Sequence, residues 1–137
     1  MLTTIILYLG WIIYIILEAL RESFYWEMKS RTSYNKDLDL HPFFALQRGL
    51  VILLMCILQY NNGGLIHSLV YFACASLMFP FIHNGMYYTT RNYLDKNLYP
   101  KKWFDQSVTS TSKLTYVFTP LVRTICFIVA TVCIFIF

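Results

Sequence analysis

The sequence predicts an all-α, polytopic membrane protein with four transmembrane helices arranged as two helical hairpins. Three observations predict this fold: the composition, the length of the apolar runs and the placement of the basic residues. Of the 137 residues, 58% are hydrophobic and 13% are charged, whereas soluble domains average about 25% charged residues. A single domain of this size cannot hide so much apolar surface from water. We therefore expect a bilayer to surround the chain.

The first predicted transmembrane helix covers about residues 2–20, which are apolar up to Glu18. About 20 such residues are needed to cross the hydrocarbon core. We expect this helix to continue beyond the membrane, because apolar residues at helical spacing continue past residue 20. That stripe comprises Leu17, Leu20, Phe24 and Met28, while Glu22, Glu27 and Lys29 lie off it.

The second and third helices are predicted over about residues 43–60 and 65–84. The Asn-Asn-Gly-Gly sequence at 61–64 is typical of a turn, so these two helices should form an antiparallel hairpin. Pro80 predicts a kink, which a transmembrane helix tolerates when a neighbour satisfies the freed carbonyl. We expect the third helix to run on to about Leu94, so that helices 1 and 3 both extend into the cytoplasm.

The fourth transmembrane helix is predicted over about residues 116–137. Thr119 and Pro120 suit the N-cap and the first helical residue. From Pro120 to Phe137 the helix would rise about 27 Å, which is enough to span the hydrocarbon core. Before it, the basic and aromatic residues at 101–104 predict an interfacial anchor, and the Ser/Thr-rich residues at 107–112 predict a flexible linker.

Basic residues predict the orientation. Ten of the 11 Lys and Arg residues lie between Arg21 and Arg48 or between Arg91 and Lys113. The positive-inside rule then places both long connections in the cytoplasm and both termini outside. The same basic residues should contact anionic lipid headgroups on the cytoplasmic side. We expect no binding to nucleic acid.

Polar residues at membrane depth gather near the cytoplasmic boundary. They are Glu18, Arg21, Glu22, His41, Arg48, His83, Asn84, Tyr87, Tyr88, Arg91 and Arg123. Ionisable groups inside a membrane usually face the bundle and pair with one another. We therefore predict that Glu18 or Glu22 pairs with Arg48, Arg91 or Arg123. His83, Tyr87 and Arg91 are spaced four apart, which places them on one face of helix 3.

Two interpretations of this polar cluster stay open. In the first, the side chains hold the helices together and reach towards the headgroups. In the second, they line a cytoplasm-facing pocket where the arginines hold a phosphate or carboxylate and His83 acts as acid or base.

Other kinds of chemistry lack a motif in the sequence. The four cysteines lie in apolar runs without a C-x-x-C pair, and the histidines lack the spacing of a zinc site. No G-x-S-x-G nucleophile elbow or glycine-rich phosphate loop is present. We therefore expect no metal and no cofactor, and catalysis is not favoured.

Two segments carry a resemblance: DLHPFFALQRG at 39–49 and HNGMYYTTRNYLDKNLYPKKWFDQSVTST at 83–111. They resemble small integral membrane proteins carried by tailed phages and mobile elements of gut Bacteroidales. The resemblance covers about the middle half of the chain and transfers no site residue. It implies a bacterial inner membrane and a role in phage or element biology.

These observations lead to one leading expectation and two alternatives. The leading expectation is an inner-membrane protein without catalytic activity that acts as a homo-oligomer or binds a membrane-protein partner. The first alternative is a small channel or holin-like pore. The second is a membrane-embedded enzyme, or a binding protein for an anionic lipid or nucleotide, with a cytoplasm-facing pocket.

Overall fold

The computed structural model describes residues 2–31, 41–100 and 119–137, and these form three α-helices. Helix α1 covers Leu2–Arg31, α2 covers His41–Leu94 and α3 covers Pro120–Ile136. The described residues contain no strand, so the all-α prediction is confirmed. The predicted polar break before Pro42, the interfacial anchor and the Ser/Thr-rich linker lie outside the described residues.

The prediction of four transmembrane helices is wrong. Among the described residues, two helices are long and apolar enough to cross a membrane: Leu2–Ser30, with 29 residues, and Pro42–Leu94, with 53. The predicted second and third helices belong to one element, α2, in which Gly64 alone departs from helical backbone geometry. Helix α3 has 17 residues and is a shorter apolar helix.

Helix α2 folds back on itself at Gly64, whose φ of 75° and ψ of −168° are not helical. Ser68 Oγ donates to the carbonyl of Cys56 at 2.9 Å, although 12 residues of straight helix would separate them by about 18 Å. Tyr71 O–H likewise donates to Met55 Sδ at 3.7 Å. The change of direction thus lies within the predicted 61–64 turn, and it is made at Gly64.

Beyond Gly64, α2 continues through Pro80 to Leu94, as predicted. Proline cannot donate the backbone hydrogen bond that a helix requires at its position. Pro80 therefore leaves the carbonyl of Ser76 without its helical donor. The carbonyl one residue earlier, that of Ala75, accepts from the indole Nε1–H of Trp11 at 3.0 Å. Helix α1 thus supplies a hydrogen bond to the backbone of α2 next to its proline.

The N-terminus of α3 is formed as predicted. Thr119 is the N-cap, its side chain accepts from the backbone N–H of Val122 at 3.4 Å, and Pro120 is the first helical residue. Proline suits that position because its missing N–H would have no helical partner there. The three residues before Thr119 that were assigned to this helix lie outside the described residues.

The core joins the three helices. Trp11 and Ile15 of α1 pack with Ala75 and Met78 of α2, and all four are fully buried. Ala130 of α3 belongs to the same cluster. Helix α2 packs against both α1 and α3, and Tyr8 of α1 also contacts Thr131 and Phe135 of α3 directly.

The outer surface of α1 is apolar and its buried surface carries charge. Leu17 is 60% exposed and Met28 is 67% exposed, whereas Glu22 and Glu27 are each 7% exposed. The stripe at helical spacing therefore faces away from the other helices. Helix α1 also runs past residue 20 to Arg31, as the same stripe predicted.

Candidate functional site

The buried charges of α1 are three carboxylates near its C-terminal end. Glu18, Glu22 and Glu27 are 2%, 7% and 7% exposed. A buried carboxylate without a partner is strongly destabilising. Each of these three therefore depends on a cation that α2 supplies.

Gly64 divides α2 into a first arm, residues 41–63, and a second arm, residues 65–94. Arg48, in the first arm, contacts two of the carboxylates. Its Nε donates to Glu18 Oε1 at 2.6 Å and its Nη2 donates to Glu22 Oε2 at 2.7 Å. The guanidinium carbon also lies 4.6 Å from the centre of the Phe79 ring. The predicted pairing of Glu18 or Glu22 with Arg48 is confirmed for both carboxylates. Because Arg48 and Phe79 belong to different arms of α2, this arginine also links the two arms.

His83 joins the cluster from the second arm of α2. Its Nε2 lies 3.0 Å from Glu22 Oε2 and 3.4 Å from Arg48 Nη2. A carboxylate only accepts hydrogen bonds, and a guanidinium only donates them. The shorter contact therefore indicates that Nε2 carries a proton and donates to Glu22. The ring stacks on Phe79, with centroids 4.7 Å apart.

Arg91 forms a second layer with the third carboxylate. It is 2% exposed, and its Nη1 lies 3.1 Å from Glu27 Oε2 and 3.2 Å from the carbonyl of Ser23. Its Nη2 donates to the hydroxyl of Tyr99 at 3.0 Å, and the guanidinium carbon lies 4.4 Å from the centre of the Tyr99 ring. Arg91 therefore ties α1 to the chain that follows α2.

His83, Tyr87 and Arg91 all face α1, in agreement with the prediction that they share one helix face. Between the two ionic contacts, Ser23 Oγ donates to the carbonyl of Ala19 at 2.7 Å and approaches the carbonyl of Tyr87 at 3.2 Å. Close approach of small residues such as Ser and Ala is typical of helix packing in membranes. Helix α1 thus contacts α2 continuously from Glu18 to Glu27.

The remaining predicted residues lie outside this contact. Arg21 is at its rim, with a side chain 45% exposed that donates to Gln47 Oε1 at 2.7 Å. Asn84 is half-buried, while Tyr88 and Arg123 are buried. Glu18 and Glu22 both contact Arg48, whereas Arg91 contacts Glu27. The side chain of His41 is outside the described set.

Sequence reasoning missed Glu27, Ser23 and Tyr99. Glu27 lies nine residues after Glu18, which is about 180° around an ideal helix at 100° per residue. Periodicity therefore placed it away from Glu18. It is buried because the second arm of α2 packs against a different side of α1 at this level. Tyr99 follows the end of α2, and nothing in its local sequence indicates that it contacts Arg91.

Each carboxylate of the cluster contacts an arginine of α2. Two carboxylates share Arg48, and the third contacts Arg91. Glu18 Oε2 accepts no hydrogen bond in the described part of the chain. Among those residues, no group of three or more His, Cys, Asp or Glu side chains is placed to hold a metal ion. The arrangement is suited to fastening α1 against both arms of α2.

Comparison with family models, with curated proteins and with solved structures finds no match for this chain.

Proposed function

We propose that this chain is a membrane-embedded helical protein without catalytic activity that assembles with copies of itself or with a membrane-protein partner. The observation that carries the proposal is the inverted polarity of the membrane-length part of α1, which exposes Ile13 and Leu17 and buries Glu18. Water favours the opposite arrangement. Lipid favours this one, because ionisable groups there face the bundle interior and pair.

The extent of exposed apolar surface supports the same location. In each of the two long apolar stretches, 28% of the residues are buried within the protein. The core helix of a soluble protein would be mostly buried. Monomeric soluble proteins rarely expose apolar patches larger than a few hundred Å², whereas lipid chains cover such surfaces without cost.

A structural role for the ionic cluster is supported by how its cations are used. Arg48 already donates to two carboxylates, and Arg91 contacts Glu27, Ser23 and Tyr99. A site for a phosphate or carboxylate ligand needs an arginine fork that can turn towards that ligand. In this protein the carboxylates of α1 contact the two arginines where such a ligand would bind.

We further propose the bacterial inner membrane as the location, with the connections at 32–40 and 101–118 on the cytoplasmic side, where the basic residues of Arg21–Arg48 and Arg91–Lys113 gather. The positive-inside rule supports this orientation, and so does the resemblance of 39–49 and 83–111 to phage-borne membrane proteins. Contacts of Arg21 with Gln47 and of Arg91 with Ser23 bring the basic ends of α1 and α2 together. A common side for both connections is consistent with those contacts.

Assembly is proposed because apolar side chains remain exposed on all three helices. Examples are Ile13 on α1, Leu54 on α2 and Val129 on α3, each at least 50% exposed. In a bilayer, such surfaces are free to pack against another copy or another membrane protein. Homo-oligomerisation and partner binding use the same surfaces, and experiment distinguishes them.

The first test concerns location. The full chain is produced in bacterial cells, and the membrane fraction is washed with alkaline carbonate and then extracted with detergent. We expect the protein to resist carbonate and to dissolve in detergent. Recovery in the carbonate wash or in the soluble fraction would contradict the membrane proposal.

The second test concerns assembly and activity. Detergent-solubilised protein is cross-linked and analysed by native mass spectrometry, and reconstituted vesicles are tested for ion flux. We expect oligomers or a co-purifying membrane protein, and tight vesicles. A bare monomer with no partner would contradict the assembly proposal, and a flux lost in Glu18→Gln would replace it with a pore.

A further inference from the structure

A second group of side chains lies beside the cluster, and its members range from the exposed Arg21 to the buried Phe44. It consists of three aromatic rings and two cations, and we call it the aromatic–cation patch: Arg21, Tyr25, Trp26, Lys29 and Phe44. The guanidinium carbon of Arg21 lies 4.8 Å from the centre of the Phe44 ring, and Lys29 Nζ lies 4.9 Å from that of Trp26. Tyr25 joins the two halves, with ring centroids 5.2 Å from Trp26 and 5.9 Å from Phe44.

The two charged members of this patch, Arg21 and Lys29, are both cations. The two carboxylates in the same stretch of α1, Glu22 and Glu27, are buried and contact Arg48 and Arg91. Glu18 lies 3.9 Å from Arg21 but 2.6 Å from Arg48, so its closer partner is inside the bundle. The carboxylates thus face inwards, while the side chain of Arg21 is 45% exposed.

The patch follows directly after the apolar outer surface of α1. Residues 2–20 rise about 27 Å along a helix, close to the roughly 30 Å of a hydrocarbon core. The patch therefore lies at the depth of the lipid headgroups. Tyrosine and tryptophan are enriched at this depth, because each presents an apolar ring and a polar tip.

The rings and Gln47 hold Arg21 in place. Gln47 Oε1 accepts from Arg21 Nη1 at 2.7 Å, while the guanidinium lies over Phe44. A planar guanidinium held in this way loses less freedom on binding a phosphate than a mobile side chain does. Lys29 over Trp26 adds a second cation on the same helix.

We propose that the aromatic–cation patch binds the phosphate group of an anionic phospholipid. This inference rests on the proposed membrane location and adds one lipid class and one set of residues to it. Arg21 and Lys29 contact the phosphate, and the half-buried rings of Tyr25 and Trp26 lie at the boundary between headgroup and acyl chain. The buried ring of Phe44 lies under the guanidinium of Arg21 and holds it in place. The bound lipid covers the end of α1 at the depth where its apolar surface stops.

The test uses the full chain, reconstituted in vesicles of phosphatidylcholine and phosphatidylglycerol in equal amounts. Native mass spectrometry of the released protein counts how many lipids of each kind remain bound. We expect wild type to retain phosphatidylglycerol preferentially. Each of Arg21→Gln and Lys29→Gln should lower that preference about fivefold, and the double variant about 25-fold.

Three further variants separate a defined site from a general attraction. Lys96→Gln removes an exposed lysine after α2, outside the patch, and should change the preference less than about twofold. Phe44→Leu keeps both cations and removes the ring under Arg21, so a loss of about twofold to fivefold is expected. Arg21→Lys keeps the charge and should recover part of what Arg21→Gln loses.

Equal phosphatidylglycerol retention by wild type and the double variant would overturn the lipid site while leaving the membrane proposal intact. An equal loss in Lys96→Gln would also overturn it, because the attraction would then be diffuse. Failure of wild type to enter vesicles at all would instead remove the membrane proposal. The thermal unfolding midpoint of each variant in detergent shows whether it is folded, and the single substitutions carry the test if the double variant is not.

Discussion

Arg48 is the residue on which the contact between α1 and α2 depends most. One guanidinium satisfies Glu18 and Glu22 and covers the ring of Phe79. Hydrogen bonds between charged groups are about twice as strong as neutral ones. The larger effect is the cost of leaving two buried carboxylates without a cation. The contribution of Arg48 is therefore best measured by removing it.

Replacing Arg48 with methionine should destabilise the protein by about 3 kcal/mol, because Glu18 and Glu22 then remain buried without their cation. Thermal or denaturant unfolding in detergent measures the change. Arg21→Met is the matched control, since that side chain is 45% exposed and should cost less than about 1 kcal/mol. Equal losses for the two variants would contradict a buried ionic cluster.

The contrast between Glu22 and Glu27 shows how far sequence reasoning reaches at this scale. Both were recognised as lying off the apolar stripe, and only Glu22 was assigned to the cluster. The sequence limited the partner of Glu22 to Arg48, Arg91 or Arg123, because few arginines lie near the same predicted membrane boundary, and the structure selects Arg48. The partner of Glu27 was not, because its contact with Arg91 depends on how α1 is rotated against the second arm of α2.

At the scale of elements, Gly64 determines the shape of α2. Its φ of 75° and ψ of −168° lie in a region that is essentially restricted to glycine. A Cβ at Gly64 would meet no atom within 4 Å. The constraint is therefore the backbone conformation and not the available space.

Gly64→Ala should destabilise the protein by roughly 1–3 kcal/mol, because alanine cannot adopt this backbone conformation without strain. Gly49→Ala is the control: Gly49 lies within α2, and its Cβ would also meet nothing within 4 Å. Alanine there should stabilise the helix by about 0.5–1 kcal/mol. Unfolding in detergent should therefore move in opposite directions, and a shared direction would contradict the assigned backbone conformation.

The N-terminus of α3 depends on the side chain of Thr119. Thr119→Ala removes the acceptor for the backbone N–H of Val122 and should cost about 1 kcal/mol. Thr124 Oγ1, by contrast, donates to the carbonyl of Pro120, which lies within the helix. Thr124→Ala should therefore cost less in the same unfolding measurement. A larger loss at Thr124 would indicate that α3 does not begin at Pro120.

At the scale of the whole molecule, the solvent decides which surface is outside. Ile13 is 57% exposed near the middle of the apolar stretch of α1, and Tyr93 is 83% exposed at the other end of the molecule, close to Arg91 and Lys96. In water both positions would tolerate arginine. In a bilayer they differ, because a charge at the centre of a transmembrane helix costs about 3 kcal/mol.

Ile13→Arg should therefore sharply reduce the amount of protein that integrates into membranes, while Tyr93→Arg should leave it near the wild-type level. Carbonate extraction followed by quantitative blotting measures both. Normal integration of Ile13→Arg would contradict the assignment of this face to lipid. Higher solubility of Ile13→Arg without detergent would indicate a protein that folds in water.

Sequence reasoning was sufficient for the apolar character of the helices, the cap of α3 and the passage of α2 through Pro80, and it limited the partners of Glu18 and Glu22 to Arg48, Arg91 or Arg123. Each follows from local chemistry: side-chain hydrophobicity, backbone geometry, or the cost of a buried charge. Only the packing of the helices selected Arg48 from these three arginines. The structure also has two helices of membrane length instead of four, because α2 is one element in which Gly64 alone departs from helical geometry. It also decided that Glu27, Ser23 and Tyr99 join Arg91, because rotation and packing of helices depend on contacts between residues far apart in the chain.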